Sequence, residues 1–240
     1  VQNFKSRLKT KIKRLFLNFT GKAGYLKKGI KCNKIWYGNN YGGFFVCPEF
    51  LNENSVVYSF GIGEDISFDE AIIKRHSCRV FGFDPTPKSI DWVKKQKLPV
   101  RFHFFEYGIS NKTGSVDFYL PNNPEHVSGS ATVQLNVNDK EKIIVKMKSL
   151  NDIVTELGHS HIDILKMDIE GTEYEVIEDI LNSKISITQI LIEFHDRFVE
   201  NGMAKSMRAV KKFNDSGFEI FAISESFEEV SLINKNVLKP

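Results

Sequence analysis

Cysteine is scarce in this chain. Its 240 residues hold only Cys32, Cys47 and Cys78. They are odd in number, widely spaced and without a Cys-x-x-Cys pair, and no histidine stands near them at ligand spacing, which argues against a thiolate metal cluster. Free thiols fit a reducing compartment, so a cytoplasmic location is the expectation. Long apolar runs are also missing, and none approaches the roughly 18–20 residues that a membrane-spanning helix needs. Acidic residues are absent from positions 1–34, which carry 11 of the 33 Lys and Arg, leaving 22 basic side chains against 30 acids in the rest. The net charge of +3 therefore hides a basic leader on an acidic body.

Within the leader, Phe4, Leu8, Ile12, Leu15 and Phe19 fall at helical spacings of four and three, with Lys and Arg around the remaining surface. Such a helix has two uses: peripheral contact with an anionic membrane, or self-association and packing on the acidic body. Nucleic acid is not expected as a partner, because the aromatics do not interleave with the basic residues as a stacking platform would. The division expected is a basic amphipathic segment over 1–34 and one folded domain over 35–240.

Past the turn-rich stretch 38–43, apolar runs read as strands at 44–47, 56–60, 79–83, 100–105, 162–167 and 189–194. Helical patterns occupy 67–74, 88–95, 150–157, 173–181 and 204–214, and shorter strands are expected at 117–120 and 143–147, around a breaker-rich loop at 121–130. Alternation at this spacing predicts an α/β fold with a mostly parallel sheet and helices on both faces. A last pair of strands, 218–223 and 229–233, has no helix between its members and should close the sheet as an antiparallel hairpin.

In such sheets ligands sit at the carboxyl ends of the strands. The first core strand ends in Phe60-Gly61-Ile62-Gly63-Glu64-Asp65, a turn where Gly61 and Gly63 let the backbone approach a ligand. A dinucleotide fingerprint lacks its third glycine here, because position 66 is Ile66, and the acids Glu64 and Asp65 would repel a diphosphate. Asp84, in Phe83-Asp84-Pro85, stands about where a carboxylate accepts ribose hydroxyls, or alternatively caps the helix behind it. Together they describe a site for a nucleoside without a diphosphate, which S-adenosylmethionine (SAM) satisfies. Glu106 and Gly108, after the third strand, are placed to flank an adenine edge. The fourth strand runs into Asp168-Ile169-Glu170-Gly171-Thr172-Glu173, pairing Asp168 with Glu170, while Glu173 reads as a helix-capping acid. His195 closes the fifth strand at the same edge. Asp168, Glu170 and His195 are the candidate catalytic residues, and the same three would ligate a divalent ion if one is used.

The segments Lys166-Met167-Asp168-Ile169-Glu170-Gly171-Thr172-Glu173, Ile192-Glu193-Phe194-His195, Ser59-Phe60-Gly61-Ile62-Gly63 and Phe83-Asp84-Pro85 together resemble the FkbM-type family of SAM-dependent methyltransferases, over about residues 55–200. That resemblance implies a seven-stranded class I methyltransferase (Rossmann-like) sheet and O-methylation, commonly of sugar hydroxyls or glycosylated natural products. It also implies that Gly61, Gly63 and Asp84 contact SAM, and that Asp168, Glu170 and His195 line the acceptor site. The chain departs from the family pattern at Ser59, where many members carry an acid, and at Asp65, where they carry a small residue. The expected mechanism is direct transfer to a small-molecule or glycan acceptor, with His195 as base and Asp168 or Glu170 orienting it. The competing readings are a nicotinamide-dependent oxidoreductase on a similar sheet and a noncatalytic SAM-binding module.

Overall fold

A computed structural model of the protein describes residues 24–121 and 137–238. The leader helix expected at 4–19 and the greater part of the loop at 121–130 lie outside the described residues. Three sheets are present among the described residues, and the largest has seven strands. Its members are β3 (Val56–Phe60), β4 (Arg79–Phe83), β5 (Phe102–Phe105), β9 (His161–Met167), β10 (Ser186–Glu193), β11 (Phe218–Ile223) and β12 (Glu229–Asn234). Their order is β11-β12-β10-β9-β3-β4-β5, and the five strands from β10 to β5 pair in parallel. β12 runs antiparallel to both neighbours and lies between β10 and β11, so the expected hairpin closes the sheet with its second strand innermost.

The helices follow from the strand spacing. α1 (Ser67–His76), α2 (Pro87–Val93) and α4 (Glu173–Asn182) join strands that pair in parallel, α3 (Leu150–Leu157) leads into β9, and α5 (Gly202–Asp215) joins β10 to β11. Successive side chains of a strand point to opposite faces, and the two faces carry separate cores. Tyr58, Phe60, Phe83, Leu165 and Ile190 pack with Ile153 of α3, Ile177 of α4 and Phe213 of α5. Val57, Val80, Ile164 and Leu191 pack with Phe68 and Ile72 of α1 and Val93 of α2. β3 is buried along its whole length, as a central strand covered on both sides must be.

A two-stranded sheet joins β1 (Ile35–Tyr37) to β2 (Phe44–Val46). Gln189 of β10 ties it to the body, with Oε1 accepting from the Cys47 amide at 2.8 Å and Nε2 donating to the Cys47 carbonyl at 3.0 Å. A boundary at residue 34 does not describe the packing. Leu26 is buried in the larger core, Ile30 and Cys32 pack beside Cys47 and Phe221, and the Gly29 amide donates to the Ile220 carbonyl at 3.0 Å. The folded body therefore takes in at least residues 24–34.

The third sheet holds β6 (Gly108–Ile109), β7 (Gly114–Pro121) and β8 (Val137–Lys148). Both long strands exceed the expected segments 117–120 and 143–147, and Pro121 belongs to β7 rather than to a loop, opposite Val137. Residues 138–142 are polar and show no apolar alternation, so their sequence does not announce the strand that backbone pairing with β7 makes of them.

Candidate active site

The strand order reverses between β3 and β9, and a cleft of about 790 Å³ opens there, lined by residues that follow β3, β4, β9 and β10. Its floor is the turn after β3. Gly61 has φ +79° and Gly63 φ +56°, which a glycine adopts without the Cβ penalty. A Cβ on Gly61 would stand 1.7 Å from the Asp168 carbonyl oxygen, whereas one on Gly63 would meet nothing within 4 Å. Gly61 therefore lets β3 and β9 close on each other, and Gly63 leaves room above the turn.

Asp84 holds that turn. Its Oδ2 accepts from the Ile62 amide at 3.0 Å and the Gly63 amide at 2.9 Å, and its Oδ1 accepts from the Thr86 amide at 2.9 Å and hydroxyl at 2.7 Å. These four bonds fill the lone-pair sites of a carboxylate, and the side chain is buried. Asp84 lines the cleft as well, and as arranged it also positions the glycine turn. Glu64 lines the cleft and pairs with Lys88 at 3.5 Å. Gly108 lines it too, next to Ile109, Phe118 and Met147, which give that end an apolar wall. Glu106 does not. It points away to Lys94 at 2.8 Å and is half exposed, so it leaves the set of cofactor contacts.

At the other end stand the acids and the histidine. Asp168 continues β9, with its amide bonded to the Phe60 carbonyl at 3.0 Å. Glu170 has φ +53° and Gly171 φ +94°, a left-handed pair that costs energy at a glutamate and turns the chain sharply into α4. His195 follows β10 and is 1% exposed. Its Nε2 faces Glu193 Oε1 at 3.3 Å, Glu170 Oε2 at 3.4 Å and Asp168 Oδ1 at 3.6 Å. Its Nδ1 makes a 2.6 Å hydrogen bond with Glu173 Oε1, which also accepts from the Gly171 amide at 3.0 Å.

Two of these carboxylates were not among the sequence candidates. Glu173, which reads as a capping acid, is fully buried as the partner of His195. Glu193 and His195 are two apart along an extended chain, the spacing that places side chains on one face, and that signal was available. Arg197 also lines the cleft, bonded to Glu228 at 2.8 Å and standing 4.0 Å from Glu193. Burial disfavours the charged form of His195, yet Glu173, Glu193 and Glu170 together hold its pKa well above the ordinary 6.5. Burial, with Asp168 adding to it, pushes Glu193 up to about 7. With Nδ1 taken by Glu173, only Nε2 of His195 faces the cleft, and the ring is oriented by Glu173 rather than by Asp168 or Glu170.

The turn between β1 and β2 roofs this end. Asn39 Oδ1 accepts from the Tyr41 and Gly42 amides at 2.7 and 2.9 Å, and Asn39 Nδ2 donates to Asp65 Oδ2 at 2.8 Å. Asp65 Oδ1 in turn accepts from the Ser67 amide at 2.9 Å at the start of α1. Tyr41 is left 84% exposed and lines the cleft together with Asp168, Glu170 and Glu193.

Comparison with known proteins gives this arrangement a setting. The chain is 26% identical over 181 residues to the 2-O-methyltransferase NoeI of Sinorhizobium fredii, covering 70% of this chain and 73% of that protein. Identity is 24% over 149 residues to the hexuronic acid methyltransferase AglP of Haloferax volcanii, covering 61% of this chain and 59% of AglP. With the probable methyltransferase-like protein 24 of Homo sapiens it is 27% over 154 residues, covering 63% of this chain and 36% of that protein. The chain thus spans little more than a third of the human relative's length. Among solved structures, a methyltransferase FkbM from Methylobacillus flagellatus aligns with a TM-score of 0.47 at 11% identity, over 76% of this chain and 44% of that one. Residues 55–229 match the model of the methyltransferase FkbM domain, and the chain belongs to that family.

Proposed function

We propose that this methyltransferase-family protein moves a methyl group from SAM to a hydroxyl oxygen of a neutral sugar or glycan. The observation that carries the reading is the continuity of one cleft, from the glycine turn at Gly61–Gly63 to the cluster around His195. Its volume lies within the range of small-molecule and cofactor sites, about 300–1,000 Å³. The residues fit SAM: the turn leaves open space above Gly63, the far wall is apolar at Ile109, Phe118 and Met147, and acids rather than phosphate-binding groups stand at 64 and 65. Bound there, SAM supplies a methyl on a cationic sulfonium, which leaves as the acceptor oxygen forms the new C–O bond and the S–C electron pair returns to sulfur.

The chain's own residues align the acceptor and take its proton. Glu170, held over the cluster by its left-handed backbone, is the carboxylate we assign to receive that proton. The acids Asp168, Glu170, Glu193, Glu228 and Glu229 line this end, and their negative potential disfavours an anionic acceptor. The name of NoeI supports an oxygen as acceptor and that of AglP a sugar, although the sugar acid named for AglP carries the charge that this end disfavours.

Calorimetric titration with S-adenosylhomocysteine, followed by transfer of labelled methyl from SAM to a pool of neutral oligosaccharides, tests the reading. Binding and transfer are expected, and Glu170→Gln should keep the affinity while losing about 10²–10⁴-fold in turnover. A folded sample that binds no S-adenosylhomocysteine sinks the proposal. Binding without transfer to any hydroxylated acceptor would instead favour the noncatalytic module.

A further inference from the structure

Proton chemistry does not account for the arrangement around His195. Its Nε2 carries at most one hydrogen, yet three carboxylate oxygens converge on it at 3.3, 3.4 and 3.6 Å. One N–H cannot serve three acceptors, and none is at the roughly 2.7–2.9 Å of a charge-assisted bond. Asp168, Glu193 and His195 each place one ligand atom within 4.8 Å of the others. The separations from Nε2, 3.3 Å to Glu193 and 3.6 Å to Asp168, are those of atoms bound at a tetrahedral angle to one ion at about 2.0–2.3 Å.

The other ring nitrogen supplies an independent observation. Nδ1 is bonded to Glu173 at 2.6 Å, with Glu173 fully buried and His195 1% exposed. A buried carboxylate on one imidazole nitrogen fixes the tautomer and turns the other nitrogen to the site, as is usual where histidine ligates a metal. Two cations line the cleft, Lys166 and Arg197, and Lys166 Nζ donates to the Gly61 carbonyl at 3.3 Å. Arg197 lies 4.0 Å from Glu193 and is engaged more closely by Glu228 at 2.8 Å.

We propose that Asp168, Glu193 and His195 Nε2 bind a first-row divalent cation, with Glu173 as the positioning residue behind the imidazole. An imidazole among carboxylates suits Mn²⁺ or Zn²⁺ better than Mg²⁺. The ion takes the place of the Nε2 proton, and its remaining coordination positions face the cleft. Its role there rests on the methyl-transfer reading: it draws the acceptor hydroxyl oxygen into place and lowers the hydroxyl pKa, while Glu170 takes the proton.

The test uses the full chain without SAM. Mn²⁺ is followed by loss of its free electron paramagnetic resonance signal, and Zn²⁺ by equilibrium dialysis. One ion per chain is expected for at least one of the two metals. His195→Ala should abolish it, and so should Asp168→Asn, whose partly exposed side chain makes the substitution mild for folding. Glu173→Gln should weaken it about 10–100-fold, beyond any change in melting temperature, and Glu106→Gln, outside the cleft, should leave it unchanged. Absence of stoichiometric binding of both metals, or binding that survives both His195→Ala and Asp168→Asn, overturns the proposal. Titration of the same sample with S-adenosylhomocysteine decides the methyl-transfer reading separately, so either can fail alone.

Discussion

Asp69 shows what a single buried carboxyl costs. It lies on α1 with 2% exposure, and burial, only partly offset by the Lys166 ammonium, pushes its pKa from 3.8 up to about 6. Below the unfolded value the group is protonated in both states and costs nothing. Above the folded value it is ionised in both, and folding must bury the charge. Its contribution to stability is therefore lost as pH rises from about 4 to about 6. Relative to Asp69→Asn, the parent should gain roughly 2–3 kcal/mol of unfolding free energy between pH 7 and pH 4 in urea titrations. A difference that does not change with pH would show that folding leaves the Asp69 pKa at its unfolded value. The sequence makes its neighbours easier to place than Asp69 itself: Ser59 and Lys166 follow from strand registers, whereas an acid in the first turn of a helix reads as a solvent-facing complement to the helix dipole. Glu173 misleads in the same way, because whether a first-turn acid faces water or a histidine depends on how the helix packs.

Among the elements, the β1–β2 turn reaches furthest across the site from furthest away in sequence. Gln189 fixes β2 at one end, and Asn39 ties the turn to Asp65 at the other. Tyr41 therefore lines the cleft beside the acids on a braced support. Asn39→Ala removes the side chain that holds the Tyr41 and Gly42 amides. The expected outcome is a KM for the acceptor raised about tenfold, with S-adenosylhomocysteine affinity within twofold of the parent, read by steady-state kinetics and calorimetry. Equal losses of both would place the turn in the cofactor half instead. The strand β2 and the turn-rich character of 38–43 are legible in the sequence. The pairing with β1 and the roofing of the cleft are not, since the contact of Asn39 with Asp65 joins segments 26 residues apart. In the same way, the length of β8 comes from backbone pairing along β7, which leaves no trace in its polar first half.

At the scale of the whole molecule, the cleft lies where the two halves of the sheet diverge, so a ligand there bridges β3–β5 and β9–β10. S-adenosylhomocysteine at about 100 times its Kd should add about 2.7 kcal/mol to stability. For a chain of this size that corresponds to a rise in Tm of roughly 5–10 °C. Asp84→Ala, which frees the Ile62 and Gly63 amides, should abolish the rise. An undiminished shift in that variant would mean that the glycine turn does not depend on Asp84. Among the described residues no helix is long and apolar enough to cross a membrane.

The alternation of strands and helices, the glycine turn and the placing of Asp168, Glu170 and His195 at strand ends were all determined by the sequence, because period-two and period-3.6 patterns and turn residues act locally. The state of those residues was decided only by the tertiary structure. Asp84 Oδ2 accepts from two amides of a turn 21–22 residues away, Glu106 is drawn off by Lys94, and His195 is enclosed by four carboxylates from two strand ends and a helix. Charge and hydrogen bonding depend on distances of a few ångströms between segments remote in the chain, and no local pattern encodes those.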